Sequence, residues 1–114
     1  PHGHAVALTL GKFFILNIDN LEKNILDSRG PFYLNEIMNT LFSLFDCDNA
    51  KSCHDYWYSL VNLLGLETDI KKLGINSIKD IDIIIENINF ERMGNHPVNI
   101  THIELKKMLQ KMIN

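Results

Sequence analysis

The 114-residue chain contains few cysteines, few prolines and no long apolar run. Its only two cysteines, Cys47 and Cys53, have a spacing that matches no zinc or redox motif, so we expect two reduced, partly buried thiols. Apolar stretches such as residues 83–85 fall far short of the roughly 20 residues that a membrane-spanning helix needs. These features disfavour a disulfide-stabilised secreted domain and a membrane protein, and they favour a cytoplasmic one.

The charged residues form no basic cluster. The chain has 14 Asp and Glu against 11 Lys and Arg, a formal net charge of -3. A phosphate backbone or an anionic membrane selects a concentration of Lys and Arg, so neither nucleic acid nor a membrane surface is expected as a partner. With 46% hydrophobic residues the composition predicts one globular domain over residues 1–114.

The apolar spacing predicts an all-α, bundle-like domain. Residues 5–17, 32–45, 56–64, 78–88 and 105–112 carry apolar side chains at helical intervals. A short helix is predicted over 67–73, closed by Gly74, and another after Asp19, which with Glu22 resembles a capping box. Gly3 is expected to form a turn before the first helix. The β-branched run at 83–85 is compatible with a strand, but its interleaved polar residues favour a helix.

Known catalytic motifs are absent from the sequence. It has no phosphate loop, no dinucleotide-binding glycine fingerprint, no nucleophile elbow and no His-Glu-x-x-His. The remaining candidates are histidines: His2 and His4 around Gly3, and His96 before Pro97 in a Gly- and Pro-restricted loop of the type that lines clefts. A surface position for the first two and a plain connecting loop for the third remain open.

Three segments, taken together, resemble one superfamily. Residues 1–8 read Pro-His-Gly-His-Ala-Val-Ala-Leu, residues 66–75 read Leu-Glu-Thr-Asp-Ile-Lys-Lys-Leu-Gly-Ile, and residues 94–98 read Gly-Asn-His-Pro-Val. In order and spacing they resemble the C-terminal domains of the iron-containing alcohol dehydrogenase and dehydroquinate synthase-like superfamily. The chain departs from that pattern at His4, where synthases have Glu, at Glu67, where Pro is usual, and at His96, which replaces Asn.

The resemblance implies the helical half of a two-domain, NAD- or NADP-linked alcohol dehydrogenase. His2 would be a ligand of a divalent metal, iron or zinc, which polarises the oxygen of an alcohol or aldehyde, and His4 and His96 would lie in the substrate cleft. The other ligands and most of the cofactor site would belong to an N-terminal domain outside this chain. Alone the chain should be inactive, and its uncovered surface should favour a homo-oligomer.

Two alternatives remain. One is a sugar-phosphate cyclase, which needs basic residues near the cleft; the chain offers Lys12, Arg29 and Arg92, which form no convincing cluster. The other is a helical interaction module without catalysis, which predicts an exposed apolar face.

Overall fold

The computed structural model describes residues 2–21, 23, 25–88 and 96–114, apart from the side chain of His2. Within these ranges the chain is all-α, as predicted, with an isolated antiparallel bridge between Ile25 and Val98 and no strand. The α-helices are α1 (His2–Asp19), α2 (Gly30–Leu44), α3 (Ala50–Leu63), α4 (Ile78–Glu86) and α5 (His102–Ile113). A 3-10 helix occupies Ile70–Leu73.

Helix α1 is longer than predicted at both ends. Gly3 lies inside its first turn, so the expected turn there is wrong. Asp19 is the last residue of α1 and does not begin a new helix, because Asn20 N continues the helical hydrogen bonding to Leu16 O at 3.1 Å. Glu22, the other half of the predicted capping box, lies outside the described residues.

The connection between α1 and α2 pairs with a distant segment. Leu26 N donates to Pro97 O at 2.9 Å, next to the bridge between Ile25 and Val98. Backbone groups that are paired in this way cannot also make the hydrogen bonds of a short helix, which explains why the described residues between α1 and α2 do not form the predicted helix.

The other helix ends follow the local sequence signals. A proline lies in the first turn of α2, Ser77 caps α4, and Thr101 with Glu104 forms a capping box at α5. Asn49 with Ser52 forms a second capping box, at α3, in a segment whose sequence predicts only a turn. The short helix predicted over 67–73 is instead the 3-10 helix, because Asp69 caps it by accepting from Lys71 N.

Two clusters of buried side chains form the core. The larger one joins α4 and α5 to Leu34 of α2 and to the segments around Leu21 and Val98, and its Ile81 is fully buried. The smaller one joins α1, α2 and α3 through Phe14, Phe42 and Cys53. The residues 83–85 lie in α4, so the helical interpretation of that β-branched run is confirmed.

Candidate functional site

Helix α3 packs closely against α1 and fixes its position. Trp57 Nε1 donates to Ala7 O at 2.9 Å, and the Tyr58 hydroxyl donates to Leu8 O. Both acceptors are carbonyls of α1, so the two aromatic side chains of α3 hold one face of that helix. The opposite face is left to line a cavity.

That cavity has a volume of about 650 Å³ and follows α1 from Val6 to Asn17. Phe13 lines it from α1 and Met38 from α2, and His96 and Pro97 line it from the segment before α5. Ligand sites in proteins are often cavities of this size, mostly apolar with a few polar groups. The volume of this open cavity falls within the range of small-molecule sites.

His96 and Asn17 are polar groups in this cavity. His96 Nε2 lies 2.6 Å from Asn17 Oδ1, and since an amide oxygen can only accept, the imidazole donates. The ring meets Phe13 edge-on, with the ring centroids 5.5 Å apart. Burial lowers the pKa of His96 below its ordinary value, so the neutral imidazole is favoured.

His4 takes part in the fold at the other end of α1. Its Nε2 donates to the carbonyl oxygen of Glu67, 63 residues away, at 2.7 Å. This contact joins the start of α1 to the segment that follows α3. Thirteen residues separate His4 from Asn17, the partner of His96, which corresponds to roughly 20 Å of helix. The two predicted cleft histidines are therefore not brought together, and their role in a cleft stays a prediction.

His2 begins α1, one helical turn before the cavity residue Val6. Its side chain lies outside the described part of the structure, so its assignment as a metal ligand stays a prediction. Among the described residues no group of three or more His, Cys, Asp or Glu could hold a metal ion. Gly94, Asn95 and Arg92, which the sequence interpretation also uses, lie outside the described residues.

A polar network that the sequence does not predict joins α1 to α3. Lys12 Nζ lies 2.8 Å from His54 Nε2, and His54 Nδ1 lies 2.8 Å from Asp55 Oδ1. An ammonium group can only donate, so the neutral ring accepts at Nε2 and its Nδ1–H donates to the carboxylate. Desolvation by burial, opposed by Asp55 and reinforced by Lys12, lowers the pKa of His54.

Lys12 and His54 of this network line a second cavity, of about 310 Å³, together with Lys107 and Lys111 of α5 and two carboxylates, Asp19 and Glu104. The mixed charges distinguish it from the apolar cavity along α1. No local pattern could have revealed the network, because 42 residues separate Lys12 from His54. Its geometry depends on how α1 packs on α3.

None of the helices in the described ranges is both long enough and apolar enough to cross a membrane. Comparisons with protein-family models, with curated protein sequences and with solved structures find no match to this chain.

Proposed function

We propose that this chain is the helical, metal-contributing part of a metal-dependent, NAD- or NADP-linked alcohol dehydrogenase of the cytoplasm. The proposal rests on the sequence resemblance and takes a small alcohol or aldehyde as the substrate. It assigns His2 as a ligand of iron or zinc. Asp and His ligands and the main cofactor site are assigned to a domain beyond these 114 residues.

The observation that supports the proposal is the convergence on α1 of the three segments that carry the resemblance. The first segment forms the start of α1. The second contacts it through the hydrogen bond from His4 to Glu67 O, and His96 of the third lies against Phe13 and Asn17 further along the same helix. The first and third segments line one cavity through Val6, His96 and Pro97, whereas the second segment is hydrogen-bonded to His4, roughly 20 Å of helix from Asn17.

The described residues do not fit a complete metal site. Zinc in proteins takes about three or four protein ligands, and the described part of the chain has no such group. What the described residues supply is a largely apolar wall, with His96 and Asn17 as polar groups within it.

The cyclase alternative gains little from the arrangement of the basic residues. Arg29 Nη2 pairs with Asp27 Oδ2 at 2.7 Å, and Lys12 donates to His54 in the second cavity. These two candidate phosphate ligands are thus engaged with other groups, and Arg92 lies outside the described residues.

An interaction module is the second candidate function, and large exposed apolar side chains favour it. Phe32 is 75% exposed, Leu44 77% and Leu63 83%. A contiguous patch of exposed apolar surface often marks a contact with another domain or protein, and Phe32 and Leu44 stand near opposite ends of α2. A partner domain of the same enzyme would also cover it, so exposure alone does not separate the two candidates.

The deciding experiment uses the complete gene product that contains this chain. We expect alcohol-dependent reduction of NAD or NADP, loss of that activity on chelation, and recovery with iron or zinc. The His2→Ala variant should lose bound metal and activity together. His4→Ala is the matched control, since it removes an imidazole two residues away whose partner is the Glu67 carbonyl; it should lower stability and keep the metal.

Other outcomes would contradict the proposal. Activity that survives both chelation and His2→Ala would exclude the assigned metal site. Release of phosphate from a sugar phosphate, without alcohol oxidation, would favour the cyclase. If the full-length protein binds neither metal nor nicotinamide cofactor, the interaction module is the candidate function that remains.

A further inference from the structure

The second cavity brings an amine of α1 beside a proton acceptor of α3. Lys12 Nζ lies 2.8 Å from His54 Nε2 and 4.9 Å from the centroid of the Tyr58 ring. Lys12 is half-buried, and within the described part of the chain it makes no ion pair with a carboxylate. Burial without a carboxylate partner disfavours the charged form of an amine.

His54 is placed to accept a proton from Lys12. Its Nδ1–H donates to Asp55 Oδ1 at 2.8 Å, which leaves Nε2 as the acceptor that faces the amine. The same carboxylate, which also pairs with Lys51, stabilises the imidazolium that forms when Nε2 takes up the proton. Burial, and secondarily Lys51, lowers the pKa of Lys12, and Asp55 opposes this shift. Desolvated lysines with an adjacent base act as nucleophiles toward carbonyl groups.

The rest of the cavity supplies positive charge for a ligand. Lys107 and Lys111 lie one helical turn apart on α5, both line the cavity, and neither makes an ion pair within the described residues. With Lys12 they outnumber the two carboxylates of the lining, Asp19 and Glu104. Both oxygens of Glu104 already accept hydrogen bonds from neighbouring polar groups. The volume of about 310 Å³ is at the lower end of ligand sites and suits a small molecule.

We propose that Lys12 is a covalent modification site, whose amine forms an imine with a small carbonyl compound that carries one anionic group, such as an α-keto acid. Lys107 and Lys111 bind the anionic group. The proposal is independent of the proposed dehydrogenase function, because the cavity that contains His96 shares no described lining residue with this one.

The reaction needs only the groups already named. Lys12 Nζ gives a proton to His54 Nε2, and the electron pair that this frees attacks the carbonyl carbon. The carbonyl oxygen takes the proton from His54 and becomes a hydroxyl group. Nζ then releases a second proton, which leaves with the hydroxyl group as water, and a C=N bond replaces the C–O bond. The ammonium ion and the carbonyl compound thus become one protonated imine and one water molecule, without an oxidant or a reductant.

The test uses the 114-residue chain with pyruvate as the probe. Samples taken at intervals are quenched with excess sodium borohydride, which reduces an imine to a stable secondary amine, and are analysed by intact mass and peptide mapping. We expect one adduct, on Lys12, to form about 100-fold faster than any adduct on the exposed Lys79, which is the lower end of what a positioned base contributes. In guanidinium chloride the unfolded chain should show no such preference.

Matched variants test the amine and its proton acceptor. Lys12→Arg keeps the positive charge and a donor toward His54 but has no nucleophilic amine, so the fast adduct should disappear. Lys79→Arg is the control and should react as the wild type does. His54→Gln, whose amide oxygen still accepts from Lys12 but takes up no proton, should slow the adduct about 100-fold.

A neutral probe tests the binding of the anionic group. Replacing both Lys107 and Lys111 by Gln should slow the reaction with pyruvate and leave the reaction with propanal, which carries no anionic group, unchanged. The proposal is overturned if pyruvate modifies Lys12 no faster than Lys79 in the folded wild-type chain, a result that does not depend on the folding of any variant. It is also overturned if His54→Gln, shown by circular dichroism to be folded, reacts at the wild-type rate.

Discussion

A Cβ atom on Gly11 of α1 would lie 2.6 Å from Cε2 of Tyr58 in α3. Real Cβ atoms do not approach carbon that closely, so the ring requires glycine at this position. The ring cannot easily withdraw, because its hydroxyl is hydrogen-bonded to Leu8 O and Trp57 Cδ1 lies 3.1 Å from the same Cβ position. Gly11 thus determines how closely α3 approaches α1.

We expect Gly11→Ala to destabilise the protein. Overpacking a tight contact costs about 1–3 kcal/mol, which outweighs the gain of at most about 1 kcal/mol in helix propensity. Gly3→Ala is the matched control in the same helix, since a Cβ at Gly3 meets no atom within 4 Å. In urea unfolding, Gly11→Ala should lower the free energy of unfolding, whereas Gly3→Ala should raise it or leave it unchanged. An increase for Gly11→Ala would contradict the packing of Tyr58 on Gly11.

Glu104 connects the start of α5 to the end of α1. Its Oε2 accepts from Asn20 Nδ2 at 2.9 Å, and its Oε1 accepts from Thr101 in the capping box. We expect Glu104→Ala to lower the free energy of unfolding by about 1–3 kcal/mol, because Asn20 is buried and loses an acceptor. Glu104→Gln keeps an amide oxygen as acceptor and should cost less. Equal losses for the two variants in urea titrations would exclude this explanation.

Stability should fall as the pH drops below about 6.5, the ordinary pKa of histidine. Burial lowers the pKa of His96 in the folded state, so below that pH the unfolded chain binds more protons. The contribution of His96 to the free energy of unfolding is complete above its pKa in the unfolded chain. It is lost progressively as the pH falls toward its pKa in the folded chain. Since burial also lowers the pKa of His54, both residues act in the same direction.

Denaturant titrations at several pH values between 5 and 8 measure this effect. His96→Gln, whose amide can still donate to Asn17, should reduce the slope of stability against pH. Ser43→Ala, at an exposed position of α2 that carries no titratable group, is the control and should keep the wild-type slope. An unchanged slope in His96→Gln would mean that the titration of His96 does not contribute.

We expect Lys12→Met to raise the pKa of His54. The Lys12 ammonium, 2.8 Å from His54 Nε2, opposes a second positive charge on the ring, while Asp55 at Nδ1 favours it. Lys23→Met, at an exposed position outside this network, is the matched control. Titration of the His54 ring by NMR measures both variants, and an unchanged or lowered pKa in Lys12→Met would show that the ammonium does not act on the ring.

Short-range sequence signals predicted the helix ends well where the capping side chain lies within one turn of the backbone groups it caps. Thr101 with Glu104, Ser77 and the proline after Gly30 each act on backbone groups within one turn, so the sequence alone places those ends. The same reasoning failed at Asp19, where the capping pattern is present but α1 continues and the following segment pairs with Pro97 and Val98. A distant backbone partner overrode a local preference there.

The candidate site was predictable only in part. The sequence identified His4 and His96 as candidates, but not that His4 contacts Glu67, that His96 contacts Asn17, or that Lys12 and His54 form a network. These partners lie between 42 and 79 residues apart along the chain. Their contacts depend on the angle and distance at which helices pack, which no local pattern records.

The sequence by itself determined that the chain is helical and where most of its helices begin and end, because periodicity and capping act over three or four residues. The tertiary structure decided which faces of α1 became buried and which line the cavity. It also decided that Tyr58 rests on Gly11. These are outcomes of close packing between elements, where the fit of one side chain depends on all its neighbours at once.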